Sequence, residues 1–209
     1  ALVVSIALQV GVNYANDYSD GIRGTDEDRI GPRRLVGSGL IDAKQVKVAA
    51  GISFLIAAIA GLVLAIMTSL LLIVIGCLAI LAAWFYTGGS QPYGYSGYGE
   101  ISVFVFFGLV ATVGSSYVQS QNIESIAILC SVPVGLLASA LLVVNNFRDL
   151  ETDAKTGKQT FAVRLGKAKT QMLFALLLLG SLGMYVLIAV LYTYLVLITL
   201  AVIPLSLKL

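Results

Sequence analysis

The sequence has no histidine and only two cysteines among its 209 residues. Without histidine there is no Ser–His or Cys–His pair for nucleophilic catalysis, no imidazole ligand for zinc and no histidine to hold a haem. Cys77 and Cys130 lie in separate apolar runs, the setting of small core residues rather than of a disulfide or a metal pair. Charge is also scarce. Asp, Glu, Lys and Arg make up 11% of the chain, against about 25% in a typical soluble domain. The net charge of +2 is too small for a nucleic-acid-binding surface. Apolar residues fill the difference: 58% of the chain is hydrophobic and the mean hydropathy is +0.95. Such a chain reads as an all-α, polytopic transmembrane helical bundle, because helices satisfy their own backbone groups in lipid.

Runs approaching the length of about 20 residues that a membrane span requires fall at 1–16, 47–67, 69–86, 101–118, 125–144, 172–192 and 194–209. The first and last reach the chain ends inside apolar sequence, so the chain is expected to be an internal piece of one transmembrane domain, cut at both ends. Connections 17–46, 87–100 and 145–171 are long and polar; those near 68, 119–124 and 193 are short. The positive charges follow this division. Arg23, Arg29, Arg33, Arg34, Lys44 and Lys47 belong to or border the first long connection, and Arg148, Lys155, Lys158, Arg164, Lys167 and Lys169 belong to the later one. Of the 13 Lys and Arg only Lys208 falls elsewhere. An even number of crossings separates the two basic connections, so both emerge on one face, which the positive-inside rule makes cytoplasmic. Lys44, Lys167 and Lys169 read as topology signals alone. Asp42 with Gln45 is placed to cap the helix after the first connection.

Two acidic motifs close apolar helices on that face. NYANDYSDG at 13–21 and NNFRDLETD at 145–153 share a pattern, in which Asn13 and Asp17 recur as Asn145 and Asp149. At helical spacing Asn13, Asp17 and Asp20 form one stripe, and Asn145, Asp149 and Asp153 form another. Each stripe offers only amide and carboxylate oxygens, a ligand set for Mg²⁺, Mn²⁺ or Ca²⁺. The Arg and Lys residues beside them suit phosphate oxygens. Facing each other, the stripes would hold divalent cations bridged by a diphosphate, which explains acids at a bilayer edge. Asp26, Glu27 and Asp28 read instead as loop charges pairing with Arg29.

A third polar stretch, FYTGGSQPYGYSGYGE at 85–100, lies on the same face. Trp84, Phe85 and Tyr86 fit an interfacial aromatic belt. Alternatively, Tyr86, Tyr93, Tyr95 or Tyr98 overhangs the site and offers a ring face to a carbocation. Glu100 is the one acid of this segment, a candidate base or partner of a metal-ordered water. The glycines make the loop pliable enough to close over a substrate.

The motifs NxxND at 13–17 with Asp20, NNxRDxxxD at 145–153 and GKxTxAVRLG at 157–166 resemble those of the UbiA superfamily of intramembrane prenyltransferases. The likeness extends over nearly the whole sequence. The wording of all three polar stretches is most similar to the branch that prenylates 1,4-dihydroxy-2-naphthoate in menaquinone synthesis. The resemblance implies a bundle of about nine helices, about seven of them in this sequence. It implies a polyprenyl diphosphate donor, Mg²⁺ and a bacterial inner membrane. It assigns metal binding to Asp17, Asp20, Asp149 and Asp153, and catalytic roles to Asp17, Asp149, Asp153 and Lys158. Substrate contacts would come from Asn13, Asn16, Arg23, Asn145, Asn146 and Arg148, from Arg34 toward the acceptor carboxylate with Arg33 as its alternative, and from Tyr86. Other acceptors of the superfamily, such as 4-hydroxybenzoate or homogentisate, use similar motifs. A CDP-alcohol phosphotransferase would gather its acids in one run, and a transporter would place them near the bilayer midplane.

Overall fold

The computed structural model describes residues 1–25 and 31–202. The loop charges Asp26, Glu27 and Asp28 with Arg29, and the end of the last apolar run with Lys208, lie outside the described residues. Among the described residues the main elements are all helical: α1 (Leu2–Ile22), α2 (Ala43–Met67), α3 (Leu71–Phe85), α4 (Gly99–Ser120), α5 (Ser125–Arg148), the short α6 (Leu150–Lys155) and α7 (Phe161–Leu191), followed by a 3₁₀ segment at Tyr194–Val202. Four of these, α2, α4, α5 and α7, are long and apolar enough to cross a membrane, and α3 is a shorter apolar helix. The chain is a multi-pass membrane protein.

Local chemistry sets the helix ends. Asp42 caps α2 by accepting a hydrogen bond from the Lys44 amide at 2.8 Å, which satisfies one of the orphan donors of the first turn. Thr160 caps α7 through the Val163 amide. Gly166 interrupts α7 with φ 74° and ψ 172°, a backbone region open essentially to glycine alone. The segment read as a span from 172 therefore begins earlier, as a short helical turn followed by a break.

Small residues let the helices approach. A Cβ on Gly11 of α1 would lie 2.7 Å from the Phe54 ring of α2, and Ala15, Ala50 and Phe54 form the buried contact between these two helices. A Cβ on Gly108 would lie 2.5 Å from the Gly135 Cα, so α4 and α5 touch backbone to backbone. Close packing of this kind is the main source of helix association in lipid. Around Gly108, Phe104–Val110 winds as a π-helix within α4. Apart from these seams, large apolar side chains face outward, including Leu55, Ile59, Leu78 and Leu179. Cys77 is also on the outside and Cys130 is half-buried. The core position expected for Cys77 is corrected: α3 buries none of its residues, because one side lines a cavity and the other faces lipid.

Candidate active site

The first acidic motif lies on the last turns of α1 and divides between two faces. At about 100° per residue all four polar residues fall on one side of the helix, and of them Asn13, Asn16 and Asp20 line a large cavity. Asp17 faces the loop after α1. Its two carboxylate oxygens accept hydrogen bonds from the backbone amides of Leu35 at 2.9 Å and Val36 at 3.0 Å. Gly21 makes this possible: a Cβ there would fall 2.5 Å from Val36 Cβ. Asn13, Asp17 and Asp20 share a helix face as their spacing predicts, but among the cavity-lining residues Asn16 stands where Asp17 was expected. Asp17 instead folds residues 35–36 onto the helix, next to Arg34, which lines the cavity.

The second motif runs from the end of α5 through α6. Asn145, Asn146, Asp149 and Asp153 line the same cavity. Arg148 holds Asp149 as a fork, Nε to Oδ1 and Nη2 to Oδ2 at 2.7 Å each, and points to the outer surface beside Glu151 and Lys167. A tight turn at Gly157, φ 79°, then brings the chain back. The Lys158 amide donates to the Asp153 carbonyl at 2.9 Å. Its buried ammonium lies 3.4 Å from Asp20 Oδ2 and 3.8 Å from Asp153 Oδ1. The two motifs therefore meet at one lysine.

The tyrosine-rich loop forms the third wall. Tyr95 donates its hydroxyl proton to Asp20, and its ring carries the Lys158 ammonium at 4.7 Å and the Arg23 guanidinium at 5.4 Å. Its carbonyl accepts the Gln159 amide at 2.8 Å. Burial, with the Asp20 charge behind it, pushes the Tyr95 hydroxyl above its ordinary range, so it remains a neutral donor. Tyr86 and Tyr93 line the cavity edge to face, 5.5 Å apart, whereas Tyr98 is exposed. Of the expected aromatic belt, Phe85 is exposed, Trp84 stacks on Tyr18 at 6.3 Å and Tyr86 turns inward. The sequence set Tyr95 beside three other tyrosines with no signal to tell them apart; its contacts with Asp20 and Lys158 exist only in the folded chain.

One of the expected substrate contacts is engaged elsewhere. Arg23 donates to the carbonyls of Thr87 and Gly89, which ties the tyrosine loop to the end of α1. Arg33 is exposed. Asn16 accepts from the Thr87 hydroxyl at 2.8 Å, and Arg164 donates to the Gln159 carbonyl at 3.2 Å. The cavity itself, about 800 Å³, runs the length of the helices. Its far end is lined by Leu64, Leu71, Val118 and Ile123, its middle by Ile75, Ile80, Phe106 and Val110, and its polar end by both acidic motifs with Arg34, Lys158, Tyr86 and Tyr95.

Among the described residues no group of three acids stands ready-made for a metal ion. The donor chemistry still fits a hard divalent cation. Asp20 and Asp153 converge on a point that a cationic group already occupies, and Asn16, Asn145 and Asp149 add only oxygen acceptors and amides to the same wall.

Comparison with known proteins agrees with this layout. Residues 1–209 match the UbiA prenyltransferase family. The 1,4-dihydroxy-2-naphthoate octaprenyltransferase of Mycobacterium tuberculosis (strain ATCC 25618 / H37Rv) is 54% identical over 174 residues, covering 83% of this chain and 60% of that protein. The protein of the same name from Escherichia coli (strain K12) is 41% identical over 189 residues, 87% of this chain and 61% of that one. UbiA prenyltransferase domain-containing protein 1 of Gallus gallus is 28% identical over 211 residues, 99% of this chain and 62% of that one. The chain thus spans about 60% of the length of the curated relatives it matches. No solved structure matches it. With its family matched from end to end and its acidic motifs meeting at the head of a membrane cavity, the chain belongs to the UbiA prenyltransferase family.

Proposed function

We propose that the protein containing this chain transfers a polyprenyl group from polyprenyl diphosphate to 1,4-dihydroxy-2-naphthoate with loss of CO₂, forming demethylmenaquinol. One observation carries the proposal: a long apolar cavity ends where two acidic motifs converge on Lys158. A greasy tail fits the apolar length, and a diphosphate head fits the polar end. Relatives whose names carry the 1,4-dihydroxy-2-naphthoate activity support the choice of acceptor.

Asp20 and Asp153 would hold Mg²⁺, with Asn16, Asn145 and Asp149 close by; the ion supplies neutralising charge for the diphosphate. Lys158 and Arg34 stabilise negative charge on the departing oxygen. The allylic C–O bond breaks with its electron pair going to the diphosphate. Tyr86 and Tyr93 present ring faces and exclude water from the cation left behind. The electron-rich naphthoate ring donates a pair to form the new C–C bond. CO₂ departs without the pair that joined it to the ring, and aromaticity returns. The positive charge of the two long connections supports a cytoplasmic side of a bacterial inner membrane for this chemistry.

The test uses membranes containing the full-length protein, a polyprenyl diphosphate and Mg²⁺, with 1,4-dihydroxy-2-naphthoate and 4-hydroxybenzoate offered in parallel. A decarboxylated, prenylated product from the naphthoate alone, abolished by EDTA and restored by Mg²⁺, is expected. Product from 4-hydroxybenzoate alone would overturn the choice of acceptor. Full activity in EDTA would overturn the metal.

A further inference from the structure

Glu100 touches the second acidic motif, and the mechanism gives it no part. It lies in the first turn of α4, where Oε1 accepts a hydrogen bond from Asn146 Nδ2 at 2.9 Å. Oε2 is buried without a hydrogen-bond partner among the described residues. The residue is fixed in place from two sides. Its carbonyl accepts from the Ser139 hydroxyl of α5 at 3.0 Å, and a Cβ on the preceding Gly99 would lie 2.9 Å from the Tyr86 hydroxyl.

A buried oxygen with no donor costs stability, and a glutamine would fill the same space without the charge. What a carboxylate does that an amide does not is to accept only. Facing it, Asn146 has to offer its NH₂ group, which turns its carbonyl oxygen the other way. Asn146 lines the cavity. We infer that Glu100 is a positioning residue that locks the Asn146 amide with its oxygen presented to the cavity, where it accepts a hydrogen bond from a hydroxyl of the aromatic substrate. The inference rests on the function proposed above. A diphosphate offers acceptors and a polyprenyl tail offers no donor, so of the two substrates only the hydroxylated ring matches an acceptor atom at this point. The pair thus sets specificity for the ring, and the prenyl donor is held elsewhere.

The experiment measures KM for each substrate in the full-length protein carrying Glu100→Gln, Glu100→Asp, Asn146→Ala or the double change Glu100→Gln/Asn146→Ala, with the thermal midpoint of each. Glutamine can donate as well as accept, so it no longer dictates which way Asn146 points. Glu100→Gln should raise KM for 1,4-dihydroxy-2-naphthoate about tenfold, the order of one lost hydrogen bond. KM for the prenyl diphosphate should stay within about twofold, and the thermal midpoint should be unchanged or higher. Glu100→Asp, still an acceptor only, should recover part of the loss. The double variant should be no worse than Asn146→Ala alone, since both changes remove one interaction. Where turnover is too slow to read, the same comparison is made on the naphthoate Kd from its own fluorescence. An unchanged acceptor KM in Glu100→Gln, or losses that multiply in the double variant, would overturn the inference. So would a shift in the Mg²⁺ requirement without a change in acceptor KM. If the unaltered protein makes no prenylated naphthoate, the proposed function fails and this inference falls with it.

Discussion

Asp17 and Asp20 stand three residues apart in the same motif and do different work. Asp20 faces Lys158 and Tyr95 inside the cavity, while Asp17 binds two backbone amides of the returning loop. Hydrogen bonds to a charged acceptor are worth about 1.5–3 kcal/mol each, and the amides lose them together when the carboxylate goes. Asp17→Ala should therefore destabilise the protein by about 2–3 kcal/mol, speed proteolysis within residues 31–41 and reduce turnover by displacing Arg34. Asp20→Ala should abolish turnover, leave cleavage of that loop at its normal rate and weaken binding of the diphosphate. Limited proteolysis beside an activity assay separates the two; equal cleavage rates would sink the distinction. The oxygen-rich chemistry of both motifs was legible from residue type and spacing. The division of labour was not, because only the folded loop brings the Leu35 and Val36 amides to Asp17. Arg23 tells the same story. Its position after the first motif suggested phosphate, but the carbonyls of Thr87 and Gly89 reach it from a distant part of the chain.

Helices α4 and α5 carry most of the second half of the site, and their spacing depends on two glycines. A Cβ on Gly108 would meet backbone, the Gly135 Cα at 2.5 Å and the Ser131 carbonyl at 3.0 Å, and neither can rotate away. Gly108→Ala should push the helices apart, costing about 1–3 kcal/mol and moving Glu100 away from Asn146. Gly51 in α2 has nothing within 4 Å of its Cβ position. Gly51→Ala should hold or raise stability by up to about 1 kcal/mol through helix propensity. Thermal unfolding in detergent with an activity assay checks both; a stable and active Gly108→Ala would show that the helix contact is not limiting. At this scale the sequence was informative about where helices lie. The runs at 47–67 and 125–144 correspond to α2 and α5, and Asp42 is the cap it was expected to be. The extra turns at the polar ends were hidden by polarity: α1 continues to Ile22 through residues that hydropathy marks as loop, because the Leu35 and Val36 amides satisfy Asp17 and the Tyr95 hydroxyl satisfies Asp20 there. The break at Gly166 was equally hidden, since one glycine in a helical pattern does not reveal a positive φ.

For the whole molecule, the strongest constraint is that both basic connections leave the membrane on one side. Between them run α2, α3, α4 and α5, four helices with short turns at the opposite face. Lys158 meeting Asp20 requires the ends of α1 and α6 to share a face, so the ion pair independently puts both basic connections on one side, and the positive-inside rule proposes which side that is. The proposed substrates would suit that orientation, since a charged diphosphate and a hydroxynaphthoate carboxylate would enter from an aqueous phase. Ser38 in the first long connection and Asn122 in the turn before α5 are exposed and lie at opposite ends of the bundle. In a full-length protein whose other cysteines, Cys77 and Cys130 among them, are replaced by serine, a single cysteine is introduced as Ser38→Cys or Asn122→Cys. A membrane-impermeant maleimide applied to spheroplasts should label the cysteine at 122 and spare the one at 38. Inverted vesicles should give the opposite pattern. Labelling of both from one side would break the link between the ion pair and the topology, because no bundle in which Lys158 reaches Asp20 can present both ends to the same compartment.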